Sequence, residues 1–160
     1  MITVVDVETS WQVTDTGGYD PSPYHPDNIL VSVGINDEYY FTNHSERIDD
    51  GCYHNIQSIL DKTTLLVGHN IKFDLMWLIE AGFKYTGKVY DTMLGEYILN
   101  RGIRKSLTLE MSCRRRRIGS KDNRIKEFTD RGIPFQNIPA NVVEEYGRMD
   151  VQITRDLFNS

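Results

Sequence analysis

The sequence lacks the features that mark membrane and secreted proteins. No apolar run approaches the roughly 18 residues of a transmembrane helix, and no basic stretch followed by an apolar one opens the chain, so nothing indicates secretion. Cysteine is scarce, because Cys52 and Cys113 are too few for a disulfide framework and fit a reducing compartment. These absences predict a cytoplasmic protein with no membrane contact.

Size and charge indicate one polarised domain. The chain has 160 residues, of which 39% are hydrophobic and 26% charged, and a single domain is expected to span residues 1–160. Residues 101–126 carry ten basic and two acidic side chains, a net charge of +8, whereas the remainder carries eight basic and 21 acidic ones, a net charge of −13. One basic segment on an acidic body predicts a surface with two electrostatic faces.

Hydrophobic periodicity predicts an α/β fold. Residues 9–28, with Gly17-Gly18 and three prolines, are expected to form a long loop. The predicted strands are 2–9, 29–35, 39–42, 65–67 and 88–90. The predicted helices are 52–60, 70–81, 92–99 capped by Asp91, a short helix capped by Ser106, and one running from Pro139 to about Phe158. An antiparallel arrangement of the first three strands follows, and the order resembles the ribonuclease-H-like fold, a mixed β-sheet flanked by α-helices.

Two carboxylates end the first strand. Because side chains alternate along a strand, Asp6 and Glu8 share a face with the apolar Ile2 and Val4. Two like charges on a buried face repel each other and resist desolvation, but a cation between them makes the arrangement stable. Strand-end carboxylates at this spacing are typical ligands of Mg²⁺ or Mn²⁺, although such a strand can also simply end in solvent.

Two further carboxylates fall within apolar helix faces. Asp74 lies in the stripe formed by Phe73, Trp77 and Leu78, and Asp150 lies in the middle of the last helix's stripe. A buried charge costs several kcal/mol unless it is paired or bound to metal. An arginine partner or a helix cap explains either one alone, whereas a shared metal cluster explains all four carboxylates together.

Three short motifs carry a resemblance to a known family. Asp6-x-Glu8, Asn70-x-x-x-Asp74 and Tyr146-x-x-x-Asp150, in this order, look like the motifs of the DEDD 3′–5′ exonucleases. Tyr146 is similar to the tyrosine branch, and no histidine follows His69, which excludes the histidine branch. Residues 90–100 and Ser106-Leu107 resemble the proofreading domain of polymerase-I-type (family A) DNA polymerases, so the resemblance runs from residue 2 to the C-terminus.

The resemblance implies a catalytic assignment for five residues. Two Mg²⁺ or Mn²⁺ ions roughly 4 Å apart would be bound, with Asp6 bridging them and Glu8 and Asp150 on the side of the attacking water. Asp74 would hold the other ion through its water shell. Tyr146, with an ordinary pKa near 10, would orient the water rather than act as a base. The expected products are nucleoside 5′-monophosphates, released from a single-stranded or frayed 3′ end of DNA.

Other residues are candidate substrate contacts. Thr9 and Asn70 could hold the terminal nucleotide, although Thr9 could merely end its strand and Asn70 could cap a helix. Trp11 could stack on a base or pack within its loop. The basic run Arg114, Arg115, Arg116 and Arg117 could follow phosphates or form a solvated surface.

The sequence leaves open both the substrate of the protein and its relation to a DNA polymerase. An RNA-trimming exonuclease resembling ribonuclease D would share the same active site, and a decayed fold could position DNA without catalysis. A separate or fused DNA polymerase is an expected partner, because the chain could be a free-standing nuclease, a split subunit or an excised domain. The Asp20-Pro21-Ser22-Pro23 loop is longer than in cellular members and suits a bacteriophage enzyme, which would act in the host cytoplasm.

Overall fold

The structure, a computed structural model, describes residues 1–119 and 123–160. The strands are β1 Ile2–Thr9, β2 Gln12–Val13, β3 Tyr19–Asp20, β4 Leu30–Ile35, β5 Glu38–Phe41, β6 Leu65–Gly68 and β7 Lys88–Asp91. The helices are α1 Cys52–Lys62, α2 Ile71–Glu80, α3 Thr92–Leu99, α4 Leu109–Arg116, α5 Arg124–Thr129 and α6 Ala140–Asn159, with a 3₁₀ turn at Phe135–Asn137. Within the described residues, none of these helices has the length and apolar character needed to cross a bilayer.

Five strands form one mixed sheet in the order β5-β4-β1-β6-β7. β1 pairs antiparallel with β4, and β4 pairs antiparallel with β5. β6 and β7 continue the sheet in parallel with β1. The predicted α/β class is confirmed, as are the antiparallel first three strands of the sheet and the flanking helices of a ribonuclease-H-like fold.

The two faces of the sheet bury two different sets of helices. Val5 and Val7 of β1 pack with residues of α1 and α2 in one cluster. Val4 points the other way and packs with Val67 and with Val151 of α6. Because side chains alternate along β1, Asp6 and Glu8 share the face of Val4 and therefore point toward α6.

Glycines allow α6 to approach the sheet closely. Gly34 of β4 lies between Asp6 and Tyr39 in the strand register, and a Cβ atom there would be 2.8 Å from Val151 Cγ2. Gly147 of α6 lies over the ring of Tyr39, which a side chain at that position would strike. Tyr39 is fixed from both sides, since its hydroxyl lies 2.9 Å from Ser32 Oγ and donates to the Val143 carbonyl. The close approach holds the middle of α6 against the end of β1.

The predicted loop 9–28 contains regular structure. β2 and β3 pair as a small antiparallel hairpin inside it. Asn28 Nδ2 donates to the carbonyls of Asp20 and Ser22 at 2.8 and 3.0 Å, and Trp77 Nε1 of α2 donates to the Pro21 carbonyl at 3.0 Å. Two-residue strands are too short to show a period in the sequence, which is why the pattern predicted only a loop.

The cap predicted at Ser106 is wrong. The helix there begins at Leu109, and the Thr108 side chain accepts a hydrogen bond from Met111 N. Ser106 lies two residues earlier, with its hydroxyl 3.3 Å from that of Thr108. α5 was also not predicted, because six residues are too few to show helical periodicity. Asp91 does cap α3, since its side chain accepts from Met93 N.

Replacing Gly147 by alanine is expected to destabilise the protein. Alanine gains about 1 kcal/mol over glycine within an exposed helix, but here its methyl group enters the space of the fixed, buried Tyr39 ring. Overpacking of this kind costs roughly 1–3 kcal/mol. Urea unfolding measures the change. Gly95→Ala in α3 is the control, because the nearest atom there is the hydroxyl at the end of the Tyr90 side chain, which is 41% exposed and can shift into solvent; equal stability of the two variants would contradict the close approach.

Candidate active site

Three carboxylates converge where β1 meets α6. Asp6 and Glu8 occupy two successive positions of β1 whose side chains point toward α6, and Asp150 lies on the buried side of α6. Each offers an oxygen, and these oxygens lie within 4.8 Å of one another. Asp150 and Glu8 are buried, while Asp6 is half-buried. The structure therefore brings together three of the four carboxylates that the sequence singled out.

The sheet is irregular beside this group. The β1–β4 register shifts between Glu8 and Thr9, so that Glu8 pairs with Ser32 and Thr9 pairs with Leu30. An extra residue in one strand bends the ladder and changes the direction of neighbouring side chains. The sheet also changes from antiparallel to parallel pairing at β1, because β4 runs antiparallel to β1 on one side and β6 runs parallel to it on the other. Such a position favours an open site at the end of a central strand.

Tyr146 lies one helical turn before Asp150 and is hydrogen-bonded to it. Burial raises the pKa of Tyr146 far above its ordinary value, and the charges of Glu8, Asp150 and Asp6 raise that pKa further. Burial also raises the pKa of Tyr39 well above its ordinary value, with Glu8 the largest charge contribution. The negative charges of Glu8 and Asp6 therefore raise the pKa of both phenols.

Asp74 is the one predicted carboxylate outside the group of three, and all four lie in the described part of the chain. It is buried in the first turn of α2, and its Oδ1 accepts a hydrogen bond from Val7 N at 2.9 Å. Burial raises the pKa of Asp74 to about 8, and the charges of Asp91 and Asp150 act in the same direction. The bond to Val7 fixes the Asp74 side chain against the strand that carries Asp6 and Glu8.

Asn70 directly precedes α2 but does not cap it with its side chain. Its backbone is left-handed, with φ of 59°, a conformation that asparagine adopts more readily than most residues. The Asn70 N–H donates to Asp91 Oδ1 at 2.9 Å. Asn70 therefore occupies the N-cap position expected as one alternative, but its side chain makes no capping hydrogen bond and the residue is exposed.

Thr9 and Trp11 follow the carboxylates along the chain. Thr9 is buried at the end of β1. Trp11 makes perpendicular ring contacts with Tyr19 and Phe135, each with centroids 5.8 Å apart. Phe135 in turn contacts Tyr146 at 6.0 Å. Trp11 is thus packed and only half-buried, in a row of rings that leads from Tyr146 to the hairpin.

The four arginines of the basic run have different surroundings. Arg115 and Arg116 make ion pairs with the buried Glu96 of α3, at 3.1 and 2.8 Å. Arg114 pairs with Glu110 on an exposed surface, and Arg117 is exposed at the end of α4. The Glu96 pairs were not predicted, because they join residues 19 and 20 positions apart; the one available signal was a glutamate among apolar helix positions. Lys121 and Asp122 of the basic segment lie outside the described residues.

The donor set determines what the group could bind. Three carboxylates supply only hard oxygen ligands, which Mg²⁺, Ca²⁺ and Mn²⁺ prefer over softer metals. Oxygens this close, in a partly desolvated site, repel one another unless a cation or protons compensate them. The residues present therefore fit a divalent metal ion.

The buried Asp74 should make the metal-free protein less stable as the pH rises. The folded protein keeps the Asp74 proton up to about pH 8, whereas an ordinary aspartate has a pKa of 3.8. Between these values the unfolded chain binds fewer protons, so the free energy of unfolding falls by up to about 1.4 kcal/mol per pH unit. Asp74→Asn removes this titration, while its amide oxygen can still accept from Val7.

Thermal melting in EDTA between pH 4 and 8 measures this effect. The Asp74→Asn variant should gain stability over the wild type as the pH rises, whereas Asp15→Asn, at an exposed hairpin position, should follow the wild type throughout. Parallel pH curves for wild type and Asp74→Asn would contradict the raised pKa.

Solved structures with this fold cover almost the whole chain. A nuclease in its apo form is similar with a TM-score of 0.64 and 16% identity, over 99% of this chain and 70% of that one. NrnC of Brucella melitensis with bound Mg²⁺ has a TM-score of 0.62 and 17% identity, over the same shares. The family B DNA polymerase of the archaeon Pyrobaculum calidifontis has 0.64 and 16%, over 99% of this chain and 24% of that one. At these identities the likeness shows the fold.

The family is shown by sequence. No curated protein sequence matches the chain. A family model described as 3′–5′ exonuclease, of the family A DNA polymerase type, matches residues 14–160. Asp74, Tyr146 and Asp150 lie within the matched range, while Asp6 and Glu8 precede it. The chain belongs to the 3′–5′ exonuclease domain family of the family A DNA polymerases.

Proposed function

We propose that this protein hydrolyses DNA from the 3′ end, releases nucleoside 5′-monophosphates and serves proofreading in DNA replication. The observation that carries the proposal is the convergence of Asp6, Glu8 and Asp150, with oxygens within 4.8 Å of one another, beside the hydroxyl of Tyr146. The family supplies the reaction class. The similarity of residues 90–100 to the polymerase-I-type proofreading domain favours DNA over RNA.

The four carboxylates would hold two divalent ions, Mg²⁺ or Mn²⁺. When bound, such ions activate a water molecule and neutralise charge on the scissile phosphate. Asp6, Glu8 and Asp150 have the hard oxygen donors and the proximity for direct ligation. Asp74, held by Val7 N outside that group, would act on the second ion through water molecules.

Tyr146 would orient the attacking water as a hydrogen-bond acceptor, because its single hydroxyl proton is donated to Asp150. Its raised pKa keeps the phenol protonated throughout the physiological pH range, so it cannot take a proton from water. The bond to Asp150 fixes the direction of the hydroxyl. Tyr146 is thus a positioning group for the nucleophile, and the acid–base chemistry belongs elsewhere in the site.

Substrate contacts would surround this centre. Thr9 and the exposed amide of Asn70 are proposed to hold the terminal nucleotide, and Trp11 to contact a base. The end of α4 faces the same part of α6, because a Cβ atom at Gly119 would lie 3.3 Å from Ile153, three residues after Asp150. Arg114 and Arg117 are the exposed members of the basic run and are the proposed phosphate contacts. Arg115 and Arg116 would contribute their charge while anchoring α4 to Glu96.

The direct test of the function is digestion of labelled oligonucleotides. Single-stranded DNA and RNA of the same sequence, labelled at the 5′ end, are incubated with Mg²⁺, Mn²⁺ or EDTA. The proposal predicts stepwise shortening of DNA from its 3′ end, only with metal, and slower cutting of RNA. Faster digestion of RNA would assign the chain to RNA trimming, and metal-independent or absent cleavage would refute the catalytic assignment.

Asp6→Ala should abolish this hydrolysis without loss of folding. Removing a metal ligand at the centre of the group should lower the rate by roughly 10²–10³-fold or more. The same change relieves repulsion among the carboxylates, so melting in EDTA should not shift downward. Asp15→Ala, at an exposed position, is the matched control and should keep full activity. A large loss of apo stability in Asp6→Ala would instead show that Asp6 has a structural role.

The basic surface should control the salt dependence of substrate affinity. If Arg114 and Arg117 each neutralise one phosphate, the double change to Ser lowers the log–log salt slope of the apparent affinity by about 0.7 per contact. Turnover at saturating substrate should change little, since these charges touch bound DNA in ground and transition states alike.

Initial rates at several salt concentrations measure these slopes. The control is the double change Lys62→Ser and Lys84→Ser, which removes two exposed charges before the N-terminal ends of β6 and β7, opposite the carboxylates. Equal slopes for all three proteins would show that Arg114 and Arg117 do not touch the substrate.

A further inference from the structure

One open cavity of about 490 Å³ is lined mainly by residues of α6. Another, of about 470 Å³, has Trp11 in its wall, which follows the carboxylates of β1 along the chain. It is formed by the hairpin and the end of α5, and its lining residues are Trp11, Tyr19, Pro21, Thr129 and Asp130. The Trp11 and Tyr19 rings stand at 90° with centroids 5.8 Å apart, so they form two walls of a corner. The volume falls within the range of small-molecule sites.

Two ring contacts link the wall of the corner to the proposed catalytic centre. Phe135 contacts Trp11 at 5.8 Å and Tyr146 at 6.0 Å, so the corner is two ring-to-ring steps from the catalytic tyrosine. Its hairpin wall is fixed, because Trp77 Nε1 donates to the Pro21 carbonyl. A substrate strand bound at Tyr146 therefore has the corner within reach of its last few nucleotides.

The side chains that line the corner indicate which ligand it could bind. Trp11, Tyr19 and Pro21 present flat apolar surfaces, on which nucleobases of any sequence can stack. Asp130 is exposed, and among the described residues no hydrogen bond or ion pair engages its side chain. A carboxylate accepts hydrogen bonds and repels phosphate and carbonyl oxygens, so the occupant must be apolar on its faces and carry on its edge an N–H donor that is not flanked on both sides by carbonyl oxygens. An unpaired base with an exocyclic amino group satisfies both conditions.

We propose that this corner binds an unpaired base among the last three nucleotides of the substrate, and that Asp130 makes the enzyme favour bases carrying an amino group. Cytosine presents an N4 amino donor to a carboxylate, as adenine and guanine do with their own amino groups. Thymine and uracil carry their N3–H donor between two carbonyl oxygens, which the carboxylate repels. Tyr19 supplies the stacking wall and Asp130 the discrimination. The inference rests on the proposed exonuclease function, which alone would predict no such preference.

A matched pair of bases tests Asp130. Deoxycytidine and deoxyuridine share one ring and differ at C4, where an amino group replaces a carbonyl, and at N3, where an acceptor replaces an N–H. Each is placed in turn at the last three positions of a single-stranded oligonucleotide. For wild type, kcat/KM should favour deoxycytidine at one of these positions by about fivefold, the effect of one hydrogen bond at an open site. Asp130→Asn, which offers both donor and acceptor, should remove the preference, while Asp15→Asn should retain it. Equal rates for the two bases at all three positions would overturn the proposal.

The stacking wall is tested separately. Tyr19→Ala should raise KM and weaken the base preference, whereas Tyr24→Ala, another exposed hairpin-side tyrosine outside the cavity, should behave as wild type. An abasic nucleotide at the preferred position should lower kcat/KM for wild type but not for Tyr19→Ala. An equal effect of the abasic site on both proteins would show that the corner does not hold the base.

Binding measured without catalysis separates the two hypotheses. Fluorescence anisotropy with the Asp6→Ala protein compares oligonucleotides that carry deoxycytidine or deoxyuridine. A preference in binding that Asp130→Asn removes would support the base corner even if the wild-type protein hydrolysed no oligonucleotide, the result that refutes the proposed function. Hydrolysis of every oligonucleotide, together with equal binding of both bases, would refute the corner and leave the exonuclease function standing.

Discussion

The close approach of α6 to the sheet is the constraint on which the rest of the structure depends. Gly34 and Gly147 remove the side chains that would separate the two, and Tyr39 fills the space between them. The same contact holds Asp150 and Tyr146 over the end of β1, where Asp6 and Glu8 point outward from the sheet. Because α6 carries two of the five proposed catalytic residues, Tyr146 and Asp150, a small displacement of this helix would separate them from Asp6 and Glu8.

That geometry concentrates negative charge in a partly desolvated space. Burial is the largest cause of the raised pKa values of Tyr146, Tyr39 and Asp74, and nearby carboxylates add to it: Glu8 and Asp6 raise the pKa of both phenols, and Asp150 raises that of Tyr146 and Asp74. A divalent cation would offset this repulsion, so the metal-free protein is expected to hold a strained arrangement that ligand binding stabilises. Positive charge lies on α4: Glu96 anchors Arg115 and Arg116, and the exposed Arg114 and Arg117 are the proposed phosphate contacts.

The sequence predicted those parts of the protein whose signals are local. β1 and its two carboxylates, Asp74 within an apolar stripe and Tyr146 one turn before Asp150 all follow from residue spacing, and the structure brings three of these carboxylates together. What escaped prediction depends on contacts between distant residues. The pairs of Glu96 with Arg115 and Arg116, the closeness of Gly147 to Tyr39, and the corner between Tyr19 and Asp130 each join segments that no sequence pattern relates. The short hairpin and α5 escaped because they are shorter than the period that would reveal them.

Anomalous diffraction from crystals soaked in millimolar Mn²⁺ at neutral pH tests whether Asp6, Glu8 and Asp150 form a metal centre. We expect an anomalous peak within coordination distance of the three carboxylates, and its loss in crystals of the Asp6→Ala variant. Well-ordered carboxylates with no peak between them, at saturating Mn²⁺ and with a single-stranded oligonucleotide present, would contradict the metal centre and the mechanism proposed from it.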